Sequence, residues 1–123
     1  MMLIIGGRGQ GKLDYVRMAY DVKEEEIGTD LGENRVVYGL HNMIRTMVAA
    51  GEDPQAAVLA HSRTHPQTIY ICDEVGSGVV PIDPAQREWR EAVGRCCCAL
   101  AKEAQRVERI FCGLPLVLKR EAE

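Results

Sequence analysis

The chain has 123 residues, a formal net charge of −3 and only 5% aromatic residues, enough for one domain with its own core but small for a complete α/β fold. That balance argues against a nucleic-acid surface, which needs clustered Lys and Arg with stacking rings. No apolar run approaches a membrane span and the chain opens on a strand rather than a charged leader, so no membrane partner and a cytoplasmic location are expected.

Met1 to Ile5 read as a strand buried on both faces, and Gly6 to Lys12 fit the spacing G-x-x-x-x-G-K of a phosphate-binding loop. Glycines let consecutive backbone N–H groups curl around an anion, and the following helix aims its positive end at the same point. Gly6, Gly7, Arg8, Gly9, Gln10, Gly11, Lys12 and Leu13 are therefore the candidate nucleotide-binding residues, with Lys12 reaching the outer phosphates. Leu13 stands where Ser or Thr usually ligates Mg²⁺. An apolar side chain cannot coordinate a hard cation, so the phosphate cradle is retained while metal placement is expected to suffer.

Leu13, Val16 and Tyr20 predict a helix from about Lys12 to Asp21. Residues 21–35 carry six acids against two bases and two glycines, which reads as a solvated connection without an obvious second strand. Val36 to Tyr38 resume a strand. Leu40, Met43, Ile44, Met47 and Val48 form a helical stripe ending at Gly51, and Asp53-Pro54 starts another helix. His61 and His65 would share a face of that helix as paired metal ligands do, but Pro66 ends it and no nearby carboxylate is expected to complete a site.

Thr68 to Cys72 form a strong strand ending in Asp73-Glu74, the usual companion of a phosphate loop because its carboxylate reaches Mg²⁺ from the carboxyl edge of the sheet. Asp73 is thus the candidate metal ligand and Glu74, with Lys12, a candidate catalytic residue; the competing reading has Asp73 capping the next turn. Gly76 and Gly78 would permit a tight backbone path near a ligand. The longest helix starts at Asp83-Pro84 and runs to about Arg106, with a buried stripe of Ala85, Trp89, Ala92, Val93, Cys96, Leu100 and Ala104 and with Cys98 near the polar face. Val107 to Cys112 and Leu116 to Leu118 read as a terminal hairpin. The five cysteines, three adjacent at Cys96, Cys97 and Cys98, fit neither a disulfide framework nor zinc spacing, so buried free thiols are expected.

Several motifs together resemble the adenosylcobinamide kinase/guanylyltransferase family of cobalamin biosynthesis. They are EVGSGVVP from Glu74 to Pro81, Trp89-Arg90-Glu91 followed by Gly94-Arg95, and GLPLVLK from Gly113 to Lys119. The resemblance implies ATP or GTP as nucleotide, a cobinamide as substrate, phosphate or substrate contacts from Gly76, Gly78, Arg90 and Arg95, and a homotrimer. Departures bear on activity. Leu13 replaces a hydroxyl, Gly39 stands where the family has an aspartate, Cys97-Cys98 replace Asn-Gln, and no histidine lies between Asp21 and Arg35 where the family's guanylylated histidine falls. None of His41, His61 or His65 lies in a matching motif. Three readings follow: a weakened kinase without guanylyltransferase activity, a non-catalytic nucleotide- or corrinoid-binding module with a regulatory or assembly role, or an oligomer-forming protein that has lost its ligands altogether.

The expected architecture is a single P-loop-type α/β domain over 1–123. Strands 1–5, 36–38, 68–72 and 107–112 should form a mostly parallel sheet with helices on both faces, and 116–119 an antiparallel edge.

Overall fold

Short β-branched runs separated by amphipathic segments leave one low-energy solution, strands side by side with helices crossing over their faces. The computed structural model, which describes residues 1–75 and 82–121, has this arrangement. The strands are β1 (Met2–Gly6), β2 (Ile27–Gly28), β3 (Val36–Tyr38), β4 (Ile69–Asp73), β5 (Arg106–Phe111) and β6 (Leu114–Arg120). They form one sheet in the order β2-β3-β4-β1-β5-β6, parallel except for the antiparallel β5-β6 hairpin.

Central β1 is flanked on both sides, Gly6 lying opposite Asp73 and Ile110, so its unbroken apolar sequence is explained. On one face Leu3, Tyr70, Cys72 and Val107 pack against α2 (Leu40–Ala49), α3 (Pro54–Thr64) and α4 (Pro84–Glu103) through Leu40, Ile44, Val58, Val93, Cys96 and Leu100. On the other, Ile4, Ile71 and Ile110 pack against α1 (Lys12–Ala19) through Val16, Leu13 and Tyr15. An eight-residue helix is too short to persist alone in water, so this packing, with Val16 fully buried, is what holds α1.

Several expectations need correction. The segment 21–35 does contain a strand: Ile27 and Gly28 pair in parallel with Val36 and Val37, after a single 3₁₀ turn at Glu24–Glu26. Two residues carry no readable alternation. Helix α1 stops at Ala19 because Asp21 turns left-handed (φ 50), and α4 stops at Glu103 because Ala104 is extended and buried. Lys119 of β6 then donates to the carbonyls of Ala101 and Lys102, both at 2.9 Å, closing the helix end. Ala85 is exposed rather than part of the α4 stripe, and Cys112 lies outside β5 in an exposed turn with φ 52. Cys98 is exposed as expected, whereas Cys72 and Cys96 are buried.

One buried charge had no signal in the pattern. Glu108 is fully buried on β5, accepting from the Tyr15 and Tyr20 hydroxyls and from Arg106 Nε at 2.8 Å. Burial alone would raise its pKa, but these three donors more than offset that and hold the carboxyl below its ordinary value.

Candidate functional site

The loop between β1 and α1 is pinned from three sides. Gly6 O accepts from Glu74 N at 2.9 Å, joining the end of β1 to the end of β4. A Cβ on Gly6 would lie 2.6 Å from Ile110 O, so the backbone approach there admits only glycine. Gln10 grips the hairpin turn: its carbonyl accepts from Gly113 N and its Oε1 from Cys112 N, both at 2.8 Å. The closing GLPLVLK motif thus buttresses the glycine loop through its first residue.

Lys12, at the start of α1, is only 6% exposed. Its Nζ donates to Gly7 O at 2.8 Å and pairs with Asp73 Oδ1 at 2.7 Å across the carboxyl edge of the sheet. His41, on the first turn of α2, completes the group, its Nε2 3.3 Å from Asp73 Oδ2. The Asp73 backbone N–H donates to His41 Nδ1 at 3.1 Å, which requires that nitrogen to be unprotonated. Burial lowers the His41 pKa, Asp73 acts against this, and the Lys12 and Arg45 cations reinforce it. His41 is therefore a neutral imidazole with its proton on Nε2.

These side chains border a cleft of about 860 Å³ that also includes Arg8, Gly9, Gly11, Leu13, Tyr38, Asn42, Arg45, Glu74 and Trp89. The size is in the range of small-molecule sites. Trp89 Nε1 donates to His41 O at 2.8 Å while the Arg45 guanidinium lies 3.8 Å over its ring, so α4 fixes the start of α2. Gly39, at φ 73, occupies a left-handed position before α2 that glycine tolerates at no steric cost.

The carboxyl edge of the sheet gathers Lys12, Asp73, Glu74 and the glycine loop. Glu74 is held by Arg109 through two bonds, at 2.7 and 3.0 Å. Among the described residues that line the cleft, neither Arg90 nor Arg95 appears; Arg95 lies on α4, 3.8 Å from Glu91. Gly76 and Gly78 lie outside the described residues. His61 and His65 stack at 4.1 Å away from the cleft, His61 bonded to Tyr70 OH and Gly32 O and His65 to Glu33. His41 was the residue that sequence reasoning passed over. Its position just after β3, at the same sheet edge as the glycine loop, was the available signal.

A family model described as cobinamide kinase / cobinamide phosphate guanyltransferase matches residues 35–118, more than half of the chain. The chain belongs to that family. The matched span of this cobinamide kinase / guanyltransferase family member takes in His41, Asp73, Glu74 and Trp89 and begins after the glycine loop, whose reading rests on its own geometry. No curated protein gives a significant match to the chain. Among the described residues, no helix is long and apolar enough to cross a membrane.

Proposed function

We propose that this family member binds ATP or GTP with its phosphates on the Gly6–Lys12 loop, keeps at most weak cobinamide kinase activity, and has lost the guanylyltransferase step. The observation that carries the reading is Lys12, a buried cation at a helix N-terminus whose partner, Asp73, faces it from the neighbouring strand end. An incoming phosphate offers Lys12 a stronger anion than one carboxylate and meets loop N–H groups besides. Lys12 then stabilises the charge on the outer phosphates, and the cleft beside Arg8 and Arg45 receives the rest of the ligand.

Several features support the weakened chemistry. Leu13 packs against the α1-side core and supplies no oxygen, and the two Asp73 oxygens face Lys12 and His41. That donor set does not fit a protein-held Mg²⁺. Both Glu74 oxygens accept from the Arg109 guanidinium, which commits the carboxylate to that cation rather than to a substrate hydroxyl. A covalent guanylyl enzyme needs a free imidazole nitrogen, and His41 has Nδ1 occupied by Asp73 N–H and Nε2 turned toward the same residue. The same observations favour the second reading, a non-catalytic nucleotide- or corrinoid-binding module. We also infer a homo-oligomer, a trimer by family resemblance, because Phe111, Leu114, Leu116 and Leu118 leave the hairpin edge apolar and exposed.

Calorimetry with ATP and GTP, with and without Mg²⁺, on wild type and Lys12→Ala tests the binding reading. Loss of affinity in the variant is expected; equal affinity in both would remove the loop from the site. A cobinamide phosphorylation assay on the same protein then separates weak kinase from non-catalytic module.

A further inference from the structure

The cleft has a neighbour that the proposed chemistry does not use. Cys72, the residue before Asp73 on β4, is fully buried, and its sulfur lies 3.7 Å from that of Cys97 on α4 in an S–H···S contact. Among the described residues this is the one hydrogen bond between two thiols. Adjacent helical residues point about 100° apart, so Cys96 turns into the core and Cys98 outward, and neither faces Cys97. Cys97 stands between them, half-buried, at the height of β4.

We propose that Cys72 and Cys97 are a redox-active pair that closes to a reversible disulfide under hydroperoxide and thereby reports oxidation to Asp73. Cys97 is the entry point because it keeps some exposure while Cys72 has none. Its sulfur attacks a peroxide oxygen; the S–O bond forms as O–O breaks, and the other oxygen leaves with the thiol proton as water or alcohol. The Cys72 sulfur then attacks the sulfenic sulfur, S–S forms as S–O breaks, and the hydroxyl leaves with the Cys72 proton as water. Two thiols lose two electrons in all and one hydroperoxide gains them.

Closure must shorten 3.7 Å to about 2.05 Å, so β4 and α4 have to approach or their side chains rotate. Cys72 moves with Asp73, its covalent neighbour, and Asp73 holds both Lys12 and His41. Oxidation should therefore disturb the phosphate end of the cleft. This last link rests on the nucleotide reading; the disulfide itself does not.

The test treats the reduced full chain with stoichiometric hydrogen peroxide, then unfolds, alkylates and maps it by mass. Expected is an intramolecular link between the Cys72 and Cys97 peptides, two of the five thiols protected, and reversal by dithiothreitol. Cys97→Ser and Cys97→Ala should both abolish the link, and Cys98→Ser should retain it. Protection of none, or a link through Cys98 or Cys112 between molecules, overturns the pair. Triphosphate affinity of the oxidised protein should fall by at least about threefold relative to the reduced protein, against no change in Cys97→Ala given the same peroxide. Unchanged affinity with the link present overturns the coupling to Asp73. Absence of binding even in the reduced protein overturns both that coupling and the nucleotide reading, and leaves the disulfide result standing.

Discussion

Asp73 donates its backbone N–H to His41 Nδ1 at 3.1 Å, so the main chain of one residue dictates the tautomer of the other. Protonating His41 would set two N–H groups against each other. Its titration midpoint, followed by NMR of the ring protons, should fall below 6.5, whereas His65 beside Glu33 should titrate above 6.5. The unfolded chain takes up the His41 proton first, so the stability it contributes is present above about pH 6.5 and is lost as the pH falls toward the folded value. A His41 midpoint above that of His65 would contradict the tautomer.

Leu13→Ser returns a hydroxyl to the start of α1, beside Lys12. Nucleotide affinity should become more dependent on Mg²⁺, and some phosphoryl transfer to a cobinamide should appear. If one good ligand is worth about 3 kcal/mol in the transition state, the rate gain is roughly 100-fold. The cost is packing, since Leu13 touches the α1-side core, so a destabilisation of about 1–2 kcal/mol should accompany it in urea unfolding. Identical Mg²⁺ dependence in variant and wild type would show that the missing hydroxyl is not what limits the ion.

Glu108→Ala should cost about 3 kcal/mol or more in urea unfolding, because Tyr15, Tyr20 and Arg106 lose a buried acceptor together. In the wild type the depressed pKa gives stability that is present above pH 4.5 and is lost as the pH falls through the folded value. Acid unfolding of Glu108→Gln should show a shallower slope below pH 4.5. An unchanged slope would place the acid sensitivity elsewhere.

Gly6→Ala brings a methyl group to 2.6 Å from Ile110 O, a backbone atom that cannot swing away. The variant should lose about 1–3 kcal/mol of stability and most triphosphate affinity, since β1 and the loop shift together. Gly9→Ala meets nothing within 4 Å, though its φ of 74 strains it. A Gly6→Ala protein as stable as wild type would mean that the β1–β5 approach is looser than 2.6 Å implies.

Light scattering at micromolar concentration should give an oligomer, and Leu116→Glu should reduce it to a monomer without unfolding it. Leu116 is 58% exposed on an edge strand, so the charge costs the isolated chain little and a subunit contact a great deal. A monomeric wild type would count against the assembly.

What the sequence determined by itself was whatever depends on local spacing: β-branched runs for β1 and β4, the glycine-lysine loop, Asp-Pro starts for α3 and α4, and the family from motifs clustered in the second half of the chain. It also set the sheet as mostly parallel, because helices separate most of the strands. It did not reveal β2, whose two residues have no pattern until Val36 and Val37 lie beside them. Tertiary structure alone decided that His41 meets Asp73 from 32 positions away, that Gln10 grips Cys112 and Gly113, that Glu108 is satisfied by two tyrosines from α1 and its C-cap, and that Cys72 faces Cys97. Those contacts join residues whose spacing carries no period: the first two exist because parallel strands bring their carboxyl ends, and the loops that follow them, to one edge of the sheet, and the last two because helices pack across its faces.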